Sequence, residues 1–237
     1  MAKKYKNVLL KISGEILAGD TKNTFDNSTS KQIINDITSL KKSGVNLAVV
    51  IGGGNIIRGI NHSDFHLSKT NADHMGMLST IINGIFLKNL LSNQQIKSIV
   101  YSSFAIPGVV RNFDHEEAKE AMNHGHVVIL VGGTGNPYFT TDTTAVLRAL
   151  ELGCDVLLKG TKVDGVYDKD PEKHSKAKKF TKLNYNYVIN NNLRIMDMTS
   201  IIMAEEADLP IIVFSIKKKD ELKKVLEKKA EFTIISN

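Results

Sequence analysis

The chain has 237 residues, a formal net charge of +6 and a single cysteine, which is long enough for one sizeable α/β core or two small lobes. Its apolar and charged fractions, 42% and 24%, are those of a globular protein and exclude a disordered one. No apolar run approaches the ~20 residues that cross a bilayer, Val8–Leu10 is too short for a secretory leader, and a lone Cys154 excludes an internal disulfide and fits a reducing cytosol.

In chain order, Val8–Ile12 reads as a strand and Ser30–Lys42 as a helix, with Ile33, Ile34, Ile37 and Leu40 at helical spacing and Gly44 ending it. Val45–Ile51 is almost continuously apolar, as expected of a strand buried on both faces of a parallel sheet. A long helix over Ala72–Leu91 follows, then a strand at Ile96–Tyr101 and a helix over Asp114–Met122 with Asp114 as its cap. Val127–Val131 is a strand, Thr141–Leu152 a helix and Asp155–Leu158 a strand, with Cys154 at the start of the same apolar run CDVLL as a buried, inert thiol. After an irregular stretch come a helix at Ser200–Ala207, a strand at Ile211–Phe214, a lysine-rich helix between Lys217 and Lys229, and a last strand at Phe232–Ile235.

Much of the positive charge lies in that lysine-rich segment, where Leu222, Val225 and Leu226 mark the buried side of an amphipathic helix. The lysines are its solvated face. No helix-turn-helix, zinc spacing or aromatic-basic motif accompanies them, so nucleic acid is not an expected partner. Alternating strands and helices predict a largely parallel sheet covered on both sides, with ligands at the carboxyl ends of the strands. A pattern change near Lys159 is the one weak internal boundary.

Three apolar strands end in glycine-bearing turns: VLLKISGE with Lys11, Ser13 and Gly14; LAVVIGGGNIIRG with Gly52, Gly53, Gly54 and Arg58; and VVILVGGTGNPYFTTD from Gly132 to Asp142. Glycine lets backbone N–H groups approach an anion closely. None of the turns is a Walker-type phosphate loop or a dinucleotide fingerprint. Together, beside a lysine and an arginine, they predict one large polyanion site. None of the seven histidines stands in a triad or metal-ligand spacing, and no metal-ligating side-chain set is expected.

The segments VLLKISGE, VIGGGNIIRG, ADHMGM, GGTGNPYFTTDTTA, KGTKVDGVYDKDP and RIMDMTS, in that order from Lys6 to about Phe214, resemble the motifs of the bacterial UMP kinases, members of the amino-acid kinase superfamily. ADHMGM and GGTGNPYFTTDT are long and specific, whereas GGG and the first lysine are shared by the wider superfamily. The resemblance implies cytoplasmic, ATP- and Mg²⁺-dependent conversion of UMP to UDP in pyrimidine nucleotide biosynthesis. It implies an α/β three-layer sandwich whose mostly parallel central sheet of about eight strands is flanked by helices. It further implies a single domain over 1–237, with the acceptor part mainly in 1–158 and the ATP part mainly in 159–237 plus the 11–14 loop. A homohexamer built from dimers and inhibition by UTP complete the expectation.

Residue by residue, the resemblance assigns Lys11, Ile12, Ser13 and Gly14 to the ATP phosphates, with Lys11 stabilising the transferred group. Gly54 and Arg58 also approach the ATP phosphates, and Lys159 adds a cation. The alternatives are a strand-end lysine reaching for water and a surface arginine. Gly53 approaches UMP. Asp73 accepts from UMP hydroxyls, or is a solvated helix carboxylate. Thr134, Gly135, Asn136, Pro137, Tyr138, Phe139, Thr140 and Thr141 hold UMP, while Thr141 also starts a helix. Thr161, Tyr167 and Asp170 bind ATP, Tyr167 against the adenine, in a turn-rich segment expected to act as a lid. Asp142 either orients Lys11 or Lys159 by an ion pair or simply favours the helix dipole. Asp197 reads as structural or regulatory.

One stretch departs from the family. Where many relatives carry a glycine-rich TEGFGI-like segment linked to GTP activation, this chain reads LAGDTKNTFDNSTS, keeping Phe25 and Asp26 but placing Lys22 and Asn23 for glycines. GTP activation is therefore not implied. Two other readings stay open at this level: a superfamily enzyme acting on a carboxylate or carbamate, which would not need TGNPYFTTDT, and a nucleotide-sensing regulatory protein, which would bind UMP without turning it over.

Overall fold

A computed structural model describes residues 5–19, 23–57 and 66–237. Strand β1 (Asn7–Ile12) is its centre, buried from Val8 onward. Its turn leads through a short helix α1 (Gly14–Ala18) to α2 (Asn27–Lys42) and β2 (Asn46–Ile51). Helix α2 begins three residues before the apolar period does, because the Asp26 carboxylate accepts from the Thr29 N–H at 2.8 Å and caps it. The long helix α3 (Lys69–Asn93), capped by Ser68, precedes β3 (Ser98–Ser102) and the edge strand β4 (Arg111–Asn112). Then come α4 (His115–Asn123) with its Asp114 cap, β5 (Val127–Val131), α5 (Thr141–Glu151) and β6 (Val156–Thr161).

The stretch after β6 is not wholly irregular. It folds β7 (Val166–Tyr167) antiparallel to β8 (Lys179–Phe180), adds β9 (Lys182–Leu183), and forms a short helix α6 (Tyr185–Asn190) before α7 (Met198–Glu206). Strand β10 (Ile211–Ser215), helix α8 (Glu221–Leu226) and β11 (Phe232–Ile235) close the chain. The lysine-rich helix is thus shorter than its charge pattern predicts, but Leu222 and Val225 are buried in it as expected.

The sheet has nine strands in the order β4-β3-β5-β2-β1-β6-β10-β11-β9, one more than the expected number. Two of them, β4 and β9, are edge strands of two residues each, too short to show a period. Strands β4 to β10 in that order run parallel and β11 pairs antiparallel with β10. The sheet passes through the Lys159 boundary without interruption, since β1 pairs with both β2 and β6.

Strand alternation builds two cores. Val8, Leu10 and Ile12 join α2, α3 and α8 on one face; Leu9, Ala48, Val50 and Leu157 join α4, α5, α6 and α7 on the other. This is the three-layer sandwich. Burying apolar strands on both faces holds the central sheet rigid, and it fixes which side of the sheet each strand-end residue faces.

Candidate functional site

On β1, Leu9 lies in the α5-side core, so Lys11 two residues on continues the same face. On β6, Leu157 and Lys159 repeat that pattern. The parallel register sets Lys11 directly opposite Lys159. Two lysines are thus forced side by side at the carboxyl edge of adjacent strands, each 8% exposed. Buried like charges repel unless an anion intervenes. The first turn of α5 supplies one: Asp142 Oδ1 is 2.8 Å from Lys11 Nζ and Oδ2 is 2.6 Å from Lys159 Nζ. Lys159 also donates to the Ile195 carbonyl at 2.6 Å.

The electrostatics follow from burial against charge. Burial alone pushes the Asp142 carboxyl up, but the Lys11 and Lys159 ammonium groups outweigh it and hold the pKa below the ordinary carboxylate value. For Lys159 burial lowers the pKa; Asp142 opposes this and does not fully cancel it. Of the two readings of Asp142, the ion pair is what the geometry shows, and it is made to both lysines.

The turn after β5 is pinned from three directions. The Gly132 N–H donates to Thr80 Oγ1 at 2.7 Å, Ser103 Oγ donates to the Gly133 carbonyl at 2.7 Å, and the Tyr138 N–H donates to Asp73 Oδ2 at 2.7 Å. Tyr138 sits at φ +71°, a conformation a bulky side chain adopts only under constraint. Asp73 and the cation–π contact of Lys69 on the Tyr138 ring supply that constraint. Thr134 Oγ1 accepts from the Asn136 N–H at 3.2 Å, closing a local turn. Tyr138 and Phe139 stand 70% and 48% exposed beside it. Thr140 Oγ1 accepts from the Asp142 and Thr143 N–H groups and so caps α5, whose first residue is Thr141.

The other two turns pack against each other. A Cβ on Gly14 would lie 2.5 Å from the Gly52 carbonyl oxygen, so only glycine permits this approach. A Cβ on Gly53 would lie 2.7 Å from the Gly76 carbonyl oxygen, so its bare Cα also seats α3. Gly76 belongs to ADHMGM; two of the recognised motifs are thus in mutual contact. Gly54 lies beside Glu15, which pairs with Lys162 at 3.4 Å. Arg58 lies outside the described residues.

Beyond Lys159 a cleft of about 680 Å³ opens, lined among others by Thr161, Tyr167, Asp170, Arg194 and Ile195. The three ATP-assigned residues of this segment therefore share one cavity, and Ile195 joins that cavity to Lys159. Thr161 Oγ1 donates to the Val163 carbonyl at 2.6 Å, Tyr167 Oη to Asp164 Oδ1 at 2.6 Å, and Asp170 Oδ1 accepts from the Glu172 N–H at 3.0 Å.

Several residues at the site owe their roles to contacts that only the fold creates. Asp197 accepts from Thr140 Oγ1 at 2.5 Å and from Thr143 Oγ1 at 2.8 Å while capping α7. It ties the start of α5 to the segment that lines the cleft. Thr80, Ser103, Asn55 and Asn83 reach the site through long-range hydrogen bonds. An aspartate directly before the α7 helix is itself a cap signal, but nothing local marks its two threonine partners.

Residues 6–215 match the model of the amino acid kinase family. The chain is 49% identical to a uridylate kinase of Rickettsia bellii over 98% of its own length and 97% of that protein's, and 45% identical to a uridylate kinase of Bartonella bacilliformis over 100% and 99%. Its fold is similar to those of the UMP kinase from Ureaplasma parvum, with TM-score 0.94, 34% identity and 99% and 100% of the two chains covered, and the UMP kinase from Bacillus anthracis, with TM-score 0.95, 34% identity and 99% and 97% covered. The chain therefore belongs to the amino acid kinase family and sits among that family's uridylate kinases.

Proposed function

We infer that the protein transfers the γ-phosphoryl group of ATP to UMP, giving UDP and ADP. The observation that carries this reading is the Lys11–Asp142–Lys159 bridge, set between the turn that resembles an acceptor loop and the cleft beyond Lys159. Relatives named uridylate kinase over nearly the whole chain supply the acceptor's identity.

The chemistry needs cations more than a base. A phosphate monoester has a second pKa of about 6, so the UMP phosphate is largely dianionic at neutral pH and needs no proton removed. The obstacle is bringing two polyanions together, and the transition state spreads charge over the phosphoryl oxygens. Each ammonium has three donors. Lys159 spends one on Asp142 and one on Ile195, and Lys11 meets Asp142, so both retain N–H groups for phosphate oxygens. Asp142, saturated by two cations, orients them and is not a base. Arg58 adds a bidentate fork for phosphate, Ser13, Gly14 and Gly54 line the donor side, and Thr161, Tyr167 and Asp170 hold the nucleoside of ATP. Asp73 and residues 134–141 hold UMP, with Asp73 acting in part through the Tyr138 backbone that it fixes.

Mg²⁺ accompanies ATP in this reading. It is a cation that keeps most of its shell as phosphate oxygen and water, and among the described residues no group of three or more His, Cys, Asp or Glu forms a cage for a metal ion. Delivered on the ATP phosphates, the ion would supply further charge neutralisation when bound. Inhibition by UTP belongs to the same reading: its uridine would take the acceptor loop and its phosphates would reach the lysines. The homohexamer is supported by α3, where Leu78, Ile82 and Ile85 form an exposed apolar stripe. No described helix is long and apolar enough to cross a membrane, and the site as proposed works on cytoplasmic nucleotides.

The test is direct. Purified protein with ATP, Mg²⁺ and UMP generates UDP, and CMP and AMP serve poorly. Equal rates on the three acceptors would refute the uracil assignment. UMP binding with no UDP formed would favour a nucleotide sensor instead.

A further inference from the structure

Behind the phosphate-facing turns lies a polar pair that the mechanism above does not use. Asn55, 5% exposed, follows the GGG turn, and Asn83, fully buried, sits mid-way along α3. Their amides bond reciprocally: Asn83 Nδ2 donates to Asn55 Oδ1 at 2.7 Å and Asn55 Nδ2 to Asn83 Oδ1 at 3.1 Å. The second N–H of each reaches outward. Asn83 Nδ2 donates to the Gly52 carbonyl at 2.7 Å, and Asn55 Nδ2 to the Thr24 carbonyl at 2.9 Å. All four amide N–H groups are thereby satisfied, as a buried network requires.

The network joins three pieces of chain that are distant in sequence. One is the GGG turn. The second is the Ser13–Gly14 turn, because a Cβ on Gly14 would lie 2.6 Å from Asn55 Oδ1 as well as 2.5 Å from the Gly52 oxygen. The third is the segment Asn23–Asp26, whose Phe25 ring also stacks on Phe86 of α3 at 4.0 Å and whose Asp26 N–H donates to the Leu17 carbonyl at 2.7 Å. An apolar pair could fill the same space. What it could not do is hold a carbonyl of residues 23–26 and a carbonyl of the GGG turn at fixed positions through one rigid unit. A shift of Thr24 must therefore break a buried hydrogen bond or move Asn55, and with it the wall behind Gly14.

We propose that the Asn55–Asn83 pair is a positioning unit that couples segment Asn23–Asp26 to the donor-phosphate turns at Ser13–Gly14 and Gly52–Gly54. It rests on the reading of Ser13, Gly14 and Gly54 as donor-side residues. Coupling of this kind is reciprocal: a ligand that orders the turns also orders the segment.

Hydrogen exchange on the unmodified protein tests it, with a non-hydrolysable ATP analogue and Mg²⁺ as the probe. The analogue slows exchange in peptides spanning 13–17 and 52–57, and the 23–29 peptide slows with them by at least about fivefold. Slowing at 13–17 without slowing at 23–29 overturns the coupling while leaving the donor site standing. No slowing at 13–17 overturns the donor-site reading, and the proposal with it. Kinetics give a second readout. Asn83→Ala raises the KM for ATP by at least about fivefold while the KM for UMP stays within about twofold. Adding Asn55→Ala to it has little further effect, because one unit has already been broken. A merely structural pair would lower the melting temperature and leave the ratio of the two KM values unmoved, and that result overturns the proposal. Should Asn83→Ala fail to fold, the exchange experiment decides alone.

Discussion

Lys11 and Lys159 are register partners on adjacent parallel strands, and one carboxylate, Asp142, bridges their ammonium groups at 2.8 and 2.6 Å. The arrangement is a store of positive charge kept in the folded protein by a single anion. On the proposed reading neither lysine has to be brought in by a conformational change when phosphates arrive, which is the meaning of preorganisation in electrostatic catalysis.

Lys11→Ala is expected to lower kcat by at least ~10²-fold, as loss of one charge-stabilising donor does elsewhere. The fold should survive, since Asp142 keeps Lys159 as partner. Steady-state kinetics with circular dichroism on the same sample checks both halves. A normal rate from this variant would place phosphoryl transfer somewhere else on the molecule.

Asp142→Asn leaves two buried ammonium groups facing each other without their anion, and breaking a buried pair of this kind costs about 3–5 kcal/mol. The pH dependence has a definite sign. The folded-state pKa of Asp142 is lowered, so its contribution is complete above the unfolded carboxylate pKa, about 3.9, and is lost as pH falls through the lower folded value. Melting curves of wild type and variant should therefore be widely separated at neutral pH and converge in strong acid. Curves that stay equally far apart down to about pH 3 would show that the ionised carboxylate is not the source of the difference.

Much of this was legible in the chain because its cause is local. Val127–Val131 is a strand at the boundaries its apolar run predicts, and Asp114 caps α4 by accepting from Glu117 as its position before the helix implies. The convergence of the three turns follows from their place at the ends of parallel strands. What stayed hidden has no local signature. Helix α1 is five residues long and β4 two, too short for any period to register. The seating of Gly53 on Gly76 depends on how closely α3 approaches the sheet. Asp197 shows its cap role in sequence, but its link to Thr140 and Thr143 spans more than fifty positions and appears only once α5 and α7 are packed.

Asp73→Ala should raise the KM for UMP more than the KM for ATP. The carboxylate holds the Tyr138 N–H at 2.7 Å in a backbone conformation that tyrosine resists, so its removal frees the proposed acceptor loop even before any direct contact with a nucleotide is counted. Initial-rate measurements with each substrate varied in turn give the comparison. The opposite ranking would move Asp73 out of the acceptor pocket.

Asp197→Ala removes a helix cap and two threonine hydroxyl contacts together. Cap loss alone costs about 1 kcal/mol and would lower the melting temperature without touching kinetics. Because Thr140 caps α5, Thr143 lies in its first turn and Asp142 lies between them, misplacing that turn should also reduce kcat by about tenfold. Asp197→Asn keeps an oxygen for the cap and should recover much of the stability but only part of the rate. Full activity in the alanine variant would reduce Asp197 to a cap.

Leu78, Ile82 and Ile85 are spaced at i, i+4 and i+7 along α3 and are 50%, 52% and 41% exposed, so they share one face of the helix. An apolar stripe in a helix that otherwise packs on the sheet is the kind of surface that the proposed assembly would cover. If the proposed hexamer is assembled through it, Ile82→Glu buries a charge at each paired contact and the assembly should fall to smaller species in sedimentation velocity. The substitution points away from the sheet core, so the subunit itself should stay folded with an unchanged circular dichroism spectrum. An assembly of undiminished mass would show that α3 does not form the contact. Activity measured on the dissociated species would then tell whether one subunit's Lys11–Asp142–Lys159 bridge is sufficient for turnover, as its construction from a single chain implies.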